Sequence, residues 1–463
     1  MAAGNQAELN SALEKLGHFV SDFIPGEELL AAAIDTLLDT FAVTMAGSAL
    51  AESAQLRKLY PPSSGNSTVF ASGRLYSVAD ASWLNGISLV SLELDEGNKS
   101  IRGHASAHVF PVVLALAEEL DVSGRDFVEA FLIGHEVASR FGNATVLRAG
   151  LHPHGNWGTT GAAAGCARLL RLDPRRSARA IDNATSALAA TPFSAATSGM
   201  AIRNSWIGSA NVQGLWASTV AKAEEDTTAF GLALETLGSV LGNLDATALA
   251  SELGSRFFLQ TGYFKRHASC SYTHPPVDAA LELRGSLTLE DLHRIEIVRV
   301  QTNHLASDLV SLSWPTRLAA MFSIPYAVAT ALEAGSLDPS QFERGFRESQ
   351  SRISLANRVE VTLDEELDSR LPKQRSARVT IEFADGSSRS TLCANPIGDA
   401  DNQPFDREAL AAKASALIGE ETSRTLLARL GGLVEAPSMR EWAADLRKFW
   451  SQRSSYETRV IRR

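Results

Sequence analysis

The 463-residue chain carries 43 Lys+Arg against 53 Asp+Glu, a net charge of −10, with 45% hydrophobic and 21% charged residues. This is the composition of a soluble globular protein, long enough for two or three domains at about 150 residues each and for a core that needs no staples. The acidic balance argues against a general nucleic-acid binder, no apolar stretch is expected to approach the ~18 residues of a membrane span, and Cys166, Cys270 and Cys393 are too scattered for a disulfide framework or a cysteine-ligated cluster.

From Glu27 to about Gln260 the apolar residues recur mostly at helical spacing. Leu30, Ile34, Leu37 and Phe41 share one face of a first helix. Ser123 reads as an N-cap with Asp126 three residues on, opening a second helix through Phe127, Phe131 and Val137. Further helices are predicted over TTGAAAGCARLLRL, PRRSARAIDNATSALAA and residues 212–222, whose alanines and glycines allow close approach. After Gly262 the period changes. Residues 294–302 and 358–363, and the segment containing Val379, Ile381 and Phe383, read as strands, the last running into an Asp385-Gly386 turn and the last two forming a hairpin. A helix over residues 322–335 lies among them, and helical signals return after Pro404. The expected organisation is mainly α: a helical domain over 1–262, a smaller α+β domain over 263–407, and C-terminal helices over 408–463 that pack back onto the first.

The widespread nucleotide, hydrolase and zinc signatures are missing, since there is no GxGxxG after a strand, no GxxxxGK[ST], no GxSxG, and His135-Glu136 is not continued to HExxH. Six of the ten histidines instead fall in three short clusters. The first, LELDEGNKSIRGHASAHVFP, holds Glu93, Asp95, Glu96, Lys99, Arg102, His104 and His108, which suits either a polar loop at a cavity or a solvated connection. Its glycine and the nearby Pro111 point to a loop rather than a helix, so metal binding by His104 and His108 at i, i+4 is not expected. The second, GLHPHGNWG, sets His152 and His154 before glycines 155, 158 and 161, which serve either an anion site at a helix N-terminus or close helix packing. The third, GYFKRHASCSYTHPP, concentrates Lys265, Arg266 and His267, a local positive field suited to an anionic substrate. Arg203, set among apolar residues, reads as a partly buried guanidinium paired with a carboxylate of the protein or of a ligand. Tyr326 lies on an otherwise apolar helix, where core packing is the default.

Taken in order, DTLLDTFAVTMAGS, LELDEG, HASAHVFPVVLALAEEL, LHPHGNWGTTGAAAGCARLL, IRNSWIGSANVQGL, FKRHASCSYTHPPVDAAL, FSIPYAVATALEAG and ANPIGDADNQPF resemble the MmgE/PrpD family through nearly the whole chain. That family includes 2-methylcitrate dehydratase, cis-aconitate decarboxylase and iminodisuccinate epimerase. The resemblance implies a large all-helical domain built from both chain ends, a smaller α+β lid domain, a cleft between them, a homodimer, and neither metal nor organic cofactor. It carries the family's acidic pair onto Glu93 and Asp95, its following histidine onto His104, the histidine of its HxxG segment onto His152, its lysine onto Lys265 and its lid-helix tyrosine onto Tyr326. Arg203 stands where lysine is frequent, His267 where tyrosine is usual, and Ala105 where proline is usual.

The chemistry this implies is formation or discharge of a carbanion beside a carboxylate. It needs a positioned base and positive charge aimed at the developing enediolate. The expected catalytic residues are Asp95, His104, His152, Lys265 and Tyr326, with Glu93, Arg203, Arg266 and His267 binding a small anionic di- or tricarboxylate. Dehydration of a hydroxylated substrate such as 2-methylcitrate is the leading expectation, with epimerisation of a dicarboxylate or decarboxylation as alternatives. No nucleic-acid or membrane partner is expected. The start of the chain lacks a basic stretch followed by an apolar run, so a cytoplasmic setting is expected too.

Overall fold

The computed structural model describes residues 2–224, 230–447 and 450, and helices dominate them. The principal ones are α1 (Ala2–Asp22), α2 (Glu27–Ser48), α3 (Val78–Val90), α4 (Ala105–Leu120), α5 (Gly124–Ala144), α6 (Thr159–Leu169), α7 (Pro174–Ala184), α8 (Ile202–Ala223), α9 (His274–Arg284), α10 (Ile324–Ala334), α11 (Arg407–Ile418) and α12 (Glu420–Gly431). Of the residues expected to form C-terminal helices, 448–449 and 451–463 lie outside the described ones.

Helix α2 buries its predicted face of Leu30, Ile34, Leu37 and Phe41, and also Leu38, Val43 and Met45 around it. Contrary to the expectation of no such stretch, this helix holds an 18-residue window long and apolar enough to cross a membrane by length and composition alone. Yet 72% of that window is buried inside the protein, with α3 and α11 packed against it. A helix covered on several sides has to be apolar on several sides.

Helix α4 overturns the expectation of a loop around His104 and Pro111. Pro111 has no N–H for the Ala107 carbonyl. Asn211 of α8 supplies one, Nδ2 donating to that carbonyl at 3.0 Å while Oδ1 accepts from the Val112 N–H at 3.0 Å. The helix therefore runs through the proline, with His104 at its N-cap and His108 one turn in. Ser123 caps α5 as predicted, its Oγ accepting from Asp126 N–H at 3.2 Å. Between α5 and α6 the backbones touch: a Cβ on Gly161 would lie 2.3 Å from the Gly134 carbonyl oxygen, so glycine is required there.

The strands β1 (Ile295–Thr302), β2 (Val359–Leu363), β3 (Ala377–Phe383) and β4 (Ser388–Cys393) form one sheet in the order β2-β1-β3-β4. The expected hairpin is displaced. Segments 359–363 and 377–383 do not pair; β2 lies parallel to β1 with Val300 opposite Val361, and β3 lies antiparallel on the other side with Val300 opposite Val379. The β1–β2 connection contains α10, as a parallel crossover requires. The hairpin is instead β3–β4, around Asp385-Gly386. Val379, Ile381 and Phe383 point into the core, and α9 packs on β3 and β4. The apolar core is continuous from Phe41, Phe110 and Phe131 among the helices to Val298 and Ile381 in the sheet.

Candidate active site

The loop between α3 and α4 is tied to the segment before α9 by a two-way backbone bridge, Gly97 N–H to Tyr263 O at 3.1 Å and Tyr263 N–H to Gly97 O at 2.7 Å. That bridge brings Lys265 against the acidic pair. Its Nζ lies 3.2 Å from Glu93 Oε2 and 3.5 Å from Asp95 Oδ1, and Arg203 of α8 pairs with the other Glu93 oxygen. Glu93 itself sits in the left-handed region at φ 51°. All four side chains are buried. Burial alone would lower the Lys265 pKa, but Glu93 and Asp95 outweigh it and push the ammonium above its ordinary value. Asp95 is penalised by burial, yet His104, Lys265 and Arg203 together hold its carboxyl below the usual range. Behind the loop, Lys413 of α11 pairs with Asp39 of α2 at 2.6 Å and donates to the Leu94 carbonyl at 2.9 Å, between the two acids.

His104 joins this charge cluster through Nδ1, 2.7 Å from the Glu96 carbonyl oxygen and 3.1 Å from Asp95 Oδ2. A carbonyl can only accept, so Nδ1 carries the proton and the neutral ring keeps its lone pair on Nε2. Glu96 is in turn fixed by His135 Nε2 at 3.0 Å and by the Ser106 N–H at 3.2 Å. Burial lowers the His104 pKa, Asp95 opposes the shift and Lys265 adds to it; the net direction is down.

His152 has the opposite tautomer. Its Nδ1 lies 3.1 Å from the His154 backbone N–H, which can only donate, so the proton of the neutral ring is on Nε2. The ring stacks on Phe193 with centroids 5.3 Å apart and packs near Phe322, over which the Arg203 guanidinium also lies, 5.5 Å from the ring centre. Burial, then Arg203, pushes its pKa well down. His154 stands between the two, its ring centroid 5.2 Å from His104 and 4.5 Å from His152. His108 is structural: Nδ1 donates to the His104 carbonyl at 2.8 Å and Nε2 accepts from Gly155 N–H at 3.2 Å. The glycine run serves packing, since a Cβ on Gly158 would lie 2.3 Å from the His108 ring.

Glu93, Asp95, His104, His152, Arg203 and Lys265 thus converge from five parts of the chain. Three other predicted site residues do not join them. The Tyr326 ring packs against Trp314 and Phe342, and its hydroxyl donates to the Gln341 carbonyl at 2.5 Å and accepts from Arg352 at 3.2 Å, a satisfied core tyrosine. His267 Nε2 is bound to Asp278 at 2.8 Å, and Arg266 approaches the same carboxylate oxygen at 3.4 Å. Residues the sequence reading did not single out for the site are His154, His135, Asp39 and Lys413. Of these only His154 carried a signal, its place beside His152 before the glycines.

Asp95, His104 and His154 offer ligand atoms within 4.8 Å of one another, the spacing of a candidate cation site. The surroundings oppose that use, because Lys265 and Arg203 already neutralise the carboxylates and a divalent ion would face the ammonium across Asp95. What the arrangement offers is a neutral imidazole with a free lone pair, a second imidazole presenting an N–H, and two cations beside them.

Residues 15–233 match the MmgE/PrpD N-terminal domain and residues 267–426 the MmgE/PrpD C-terminal domain. Relatives include a cis-aconitate decarboxylase of Aspergillus terreus, 26% identical over 404 residues covering 81% of each chain. A cis-aconitate decarboxylase-like protein of Aspergillus oryzae is 25% identical over 422 residues, covering 83% of this chain and 86% of the relative. Matched along both halves, the chain belongs to the MmgE/PrpD family.

Proposed function

We propose that the chain is a cofactor-independent lyase that removes a proton next to a carboxylate and eliminates water from a hydroxy di- or tricarboxylate. The observation that carries the reading is His104, buried, neutral in tendency, with its proton fixed on Nδ1 and its lone pair free on Nε2. In this reading Nε2 takes the proton of the C–H bond, and the Lys265 ammonium faces the charge that develops on the neighbouring carboxylate. His152 cannot become an imidazolium without turning a second N–H against that of His154, so it acts as a neutral N–H donor that polarises the leaving hydroxyl. The proton held by His104 then passes to that hydroxyl, the C–O bond breaks, a C=C bond forms and water leaves.

Decarboxylation is the second reading, favoured by the activity in the names of the relatives. It differs in the form of His104 it needs. Elimination starts from neutral His104, whereas discharge of a carbanion left by carbon dioxide needs His104 protonated. Because the His104 pKa is lowered, elimination is expected to hold its rate as pH falls through 6.5 and to fail only below the shifted value; a decarboxylase would gain rate in that range. Asp95 is the charge that raises the His104 pKa most, so Asp95→Asn is expected to move the acid limb of kcat/KM to lower pH while lowering kcat. A pH–rate profile of both proteins checks this. The test of the reaction itself is a proton NMR time course in deuterium oxide with 2-methylcitrate, citrate, cis-aconitate and iminodisuccinate. A new vinyl signal without carbon dioxide release supports the dehydratase. Carbon dioxide release moves the assignment to decarboxylation, and loss of an α-proton with stereoisomer exchange moves it to an epimerase.

A further inference from the structure

We infer that His154, together with the Nε–H of Arg203, forms a subsite for a second carboxylate of the substrate. The inference rests on the reading of the site as one for polycarboxylates.

His154 is fully buried, and neither of its ring nitrogens has a hydrogen-bond partner among the described residues. Leaving a buried donor and acceptor unpaired costs about 1–3 kcal/mol each, so such a group calls for a partner from outside the chain. The ring is held in place by its backbone. The His154 N–H donates to His152 Nδ1 at 3.1 Å, and its carbonyl accepts from Thr191 Oγ1 at 2.9 Å. Both nitrogens of His108 are taken, as is Nδ1 of His152, and the Asp95 carboxylate, which comes within 4.8 Å, is itself held by Lys265.

The second donor points to the sign of the partner. Arg203 spends its terminal nitrogens on Glu93, the Val90 carbonyl and Asn204 Oδ1, and its Nε is buried without a partner. Of all charges, Arg203 acts most strongly on His154. Two unpaired N–H donors, one on a permanent cation, suit a carboxylate. They do not suit a cation or an apolar group. With Lys265, held by Glu93 and Asp95, left for the carboxylate next to the reacting carbon, a substrate engaging both places carries a second one.

The test is titration calorimetry of the full chain with tricarballylate, an unreactive tricarboxylate lacking a hydroxyl, for wild type, His154→Phe, His154→Leu and His154→Gln. Removing the donor in the first two is expected to weaken binding about tenfold or more, whereas the glutamine, which keeps an N–H, holds within about threefold of wild type. Unchanged affinity in His154→Phe and His154→Leu overturns the inference while leaving the site's reading intact. An equal loss in His154→Gln overturns it too, since size and not the donor would then matter. Stoichiometric zinc in the purified wild type that disappears in His154→Phe would make the imidazole a metal ligand and overturn it as well. If wild type binds tricarballylate no better than chloride and turns over no polycarboxylate, the polycarboxylate reading fails and this inference with it.

Discussion

Replacing His104 with asparagine is expected to cost a factor of about 10²–10⁴ in kcat, the contribution typical of one positioned acid–base group. Asparagine is the informative variant because its amide Nδ2–H can replace Nδ1–H in donating to the Glu96 carbonyl, so the α4 N-terminus is expected to stay in place. What disappears is the Nε2 lone pair. A neutral amide has no basic nitrogen, both nitrogens of His108 are taken, and His152 carries its proton on the nitrogen that is not occupied by the His154 N–H. The loss is therefore expected in kcat more than in KM, with an unfolding midpoint near that of wild type. Steady-state kinetics on the substrate identified by NMR, beside a thermal melt, checks both. Turnover within a few-fold of wild type would remove His104 from the role of base.

Lys265→Met is expected to be the most destabilising of the single changes considered, by about 3–5 kcal/mol, the usual cost of removing one partner from a buried ion pair. Lys265 is fully buried between Glu93 and Asp95, and without its ammonium two carboxylates share a dry site with Arg203 as their remaining strong cation. The pH dependence follows in sign. In wild type the Asp95 pKa is depressed, so its contribution is present above the unfolded value and lost as pH falls through the folded one. In the variant that depression is weakened, and protonation relieves the repulsion. The gap in melting temperature between the two proteins is expected to be widest near pH 7.5 and to narrow toward pH 4. Adding Glu93→Gln to the variant is expected to restore part of the loss, because it removes the orphaned partner. Thermal melts at pH 4.5 and 7.5 on the three proteins decide the matter; a gap independent of pH would mean that lost packing rather than charge dominates.

Local structure was legible where the determinants are local. Ser123 and Asp126 announce the start of α5, and Asp385-Gly386 marks a turn that does join two strands. Where a distant residue decides, the pattern misleads. Pro111 argues for a loop until Asn211, 100 positions on, takes over its missing hydrogen bond. The partner of strand 359–363 is chosen by a helical crossover that periodicity does not reveal. The candidate site has the same character. Glu93 and Lys265 meet through a backbone bridge between Gly97 and Tyr263, and only resemblance to a family could couple them beforehand. Tyr326 shows the limit of such transfer, since its hydroxyl is consumed by Gln341 and Arg352, in agreement with the plainer reading of an aromatic on an apolar helix. His154 was visible as a residue but not as a site, because an unpaired buried nitrogen is a property of surroundings and not of spacing.

The clasp of Lys413 on Asp39 and the Leu94 carbonyl also sets an order of events during synthesis. Most of the residues gathered around His104 leave the ribosome within the first 265 positions, but the strut beneath their loop arrives almost 150 residues later. Until α11 emerges, the Asp39 carboxylate and the loop carbonyl must be served by water, which keeps that part of the interior open. The loop that carries Glu93 and Asp95 therefore lacks its strut while the second half of the chain is being made, and cleavage ahead of residue 407 would take the strut away while leaving Glu93, Asp95, His104, His152, Arg203 and Lys265 on one fragment.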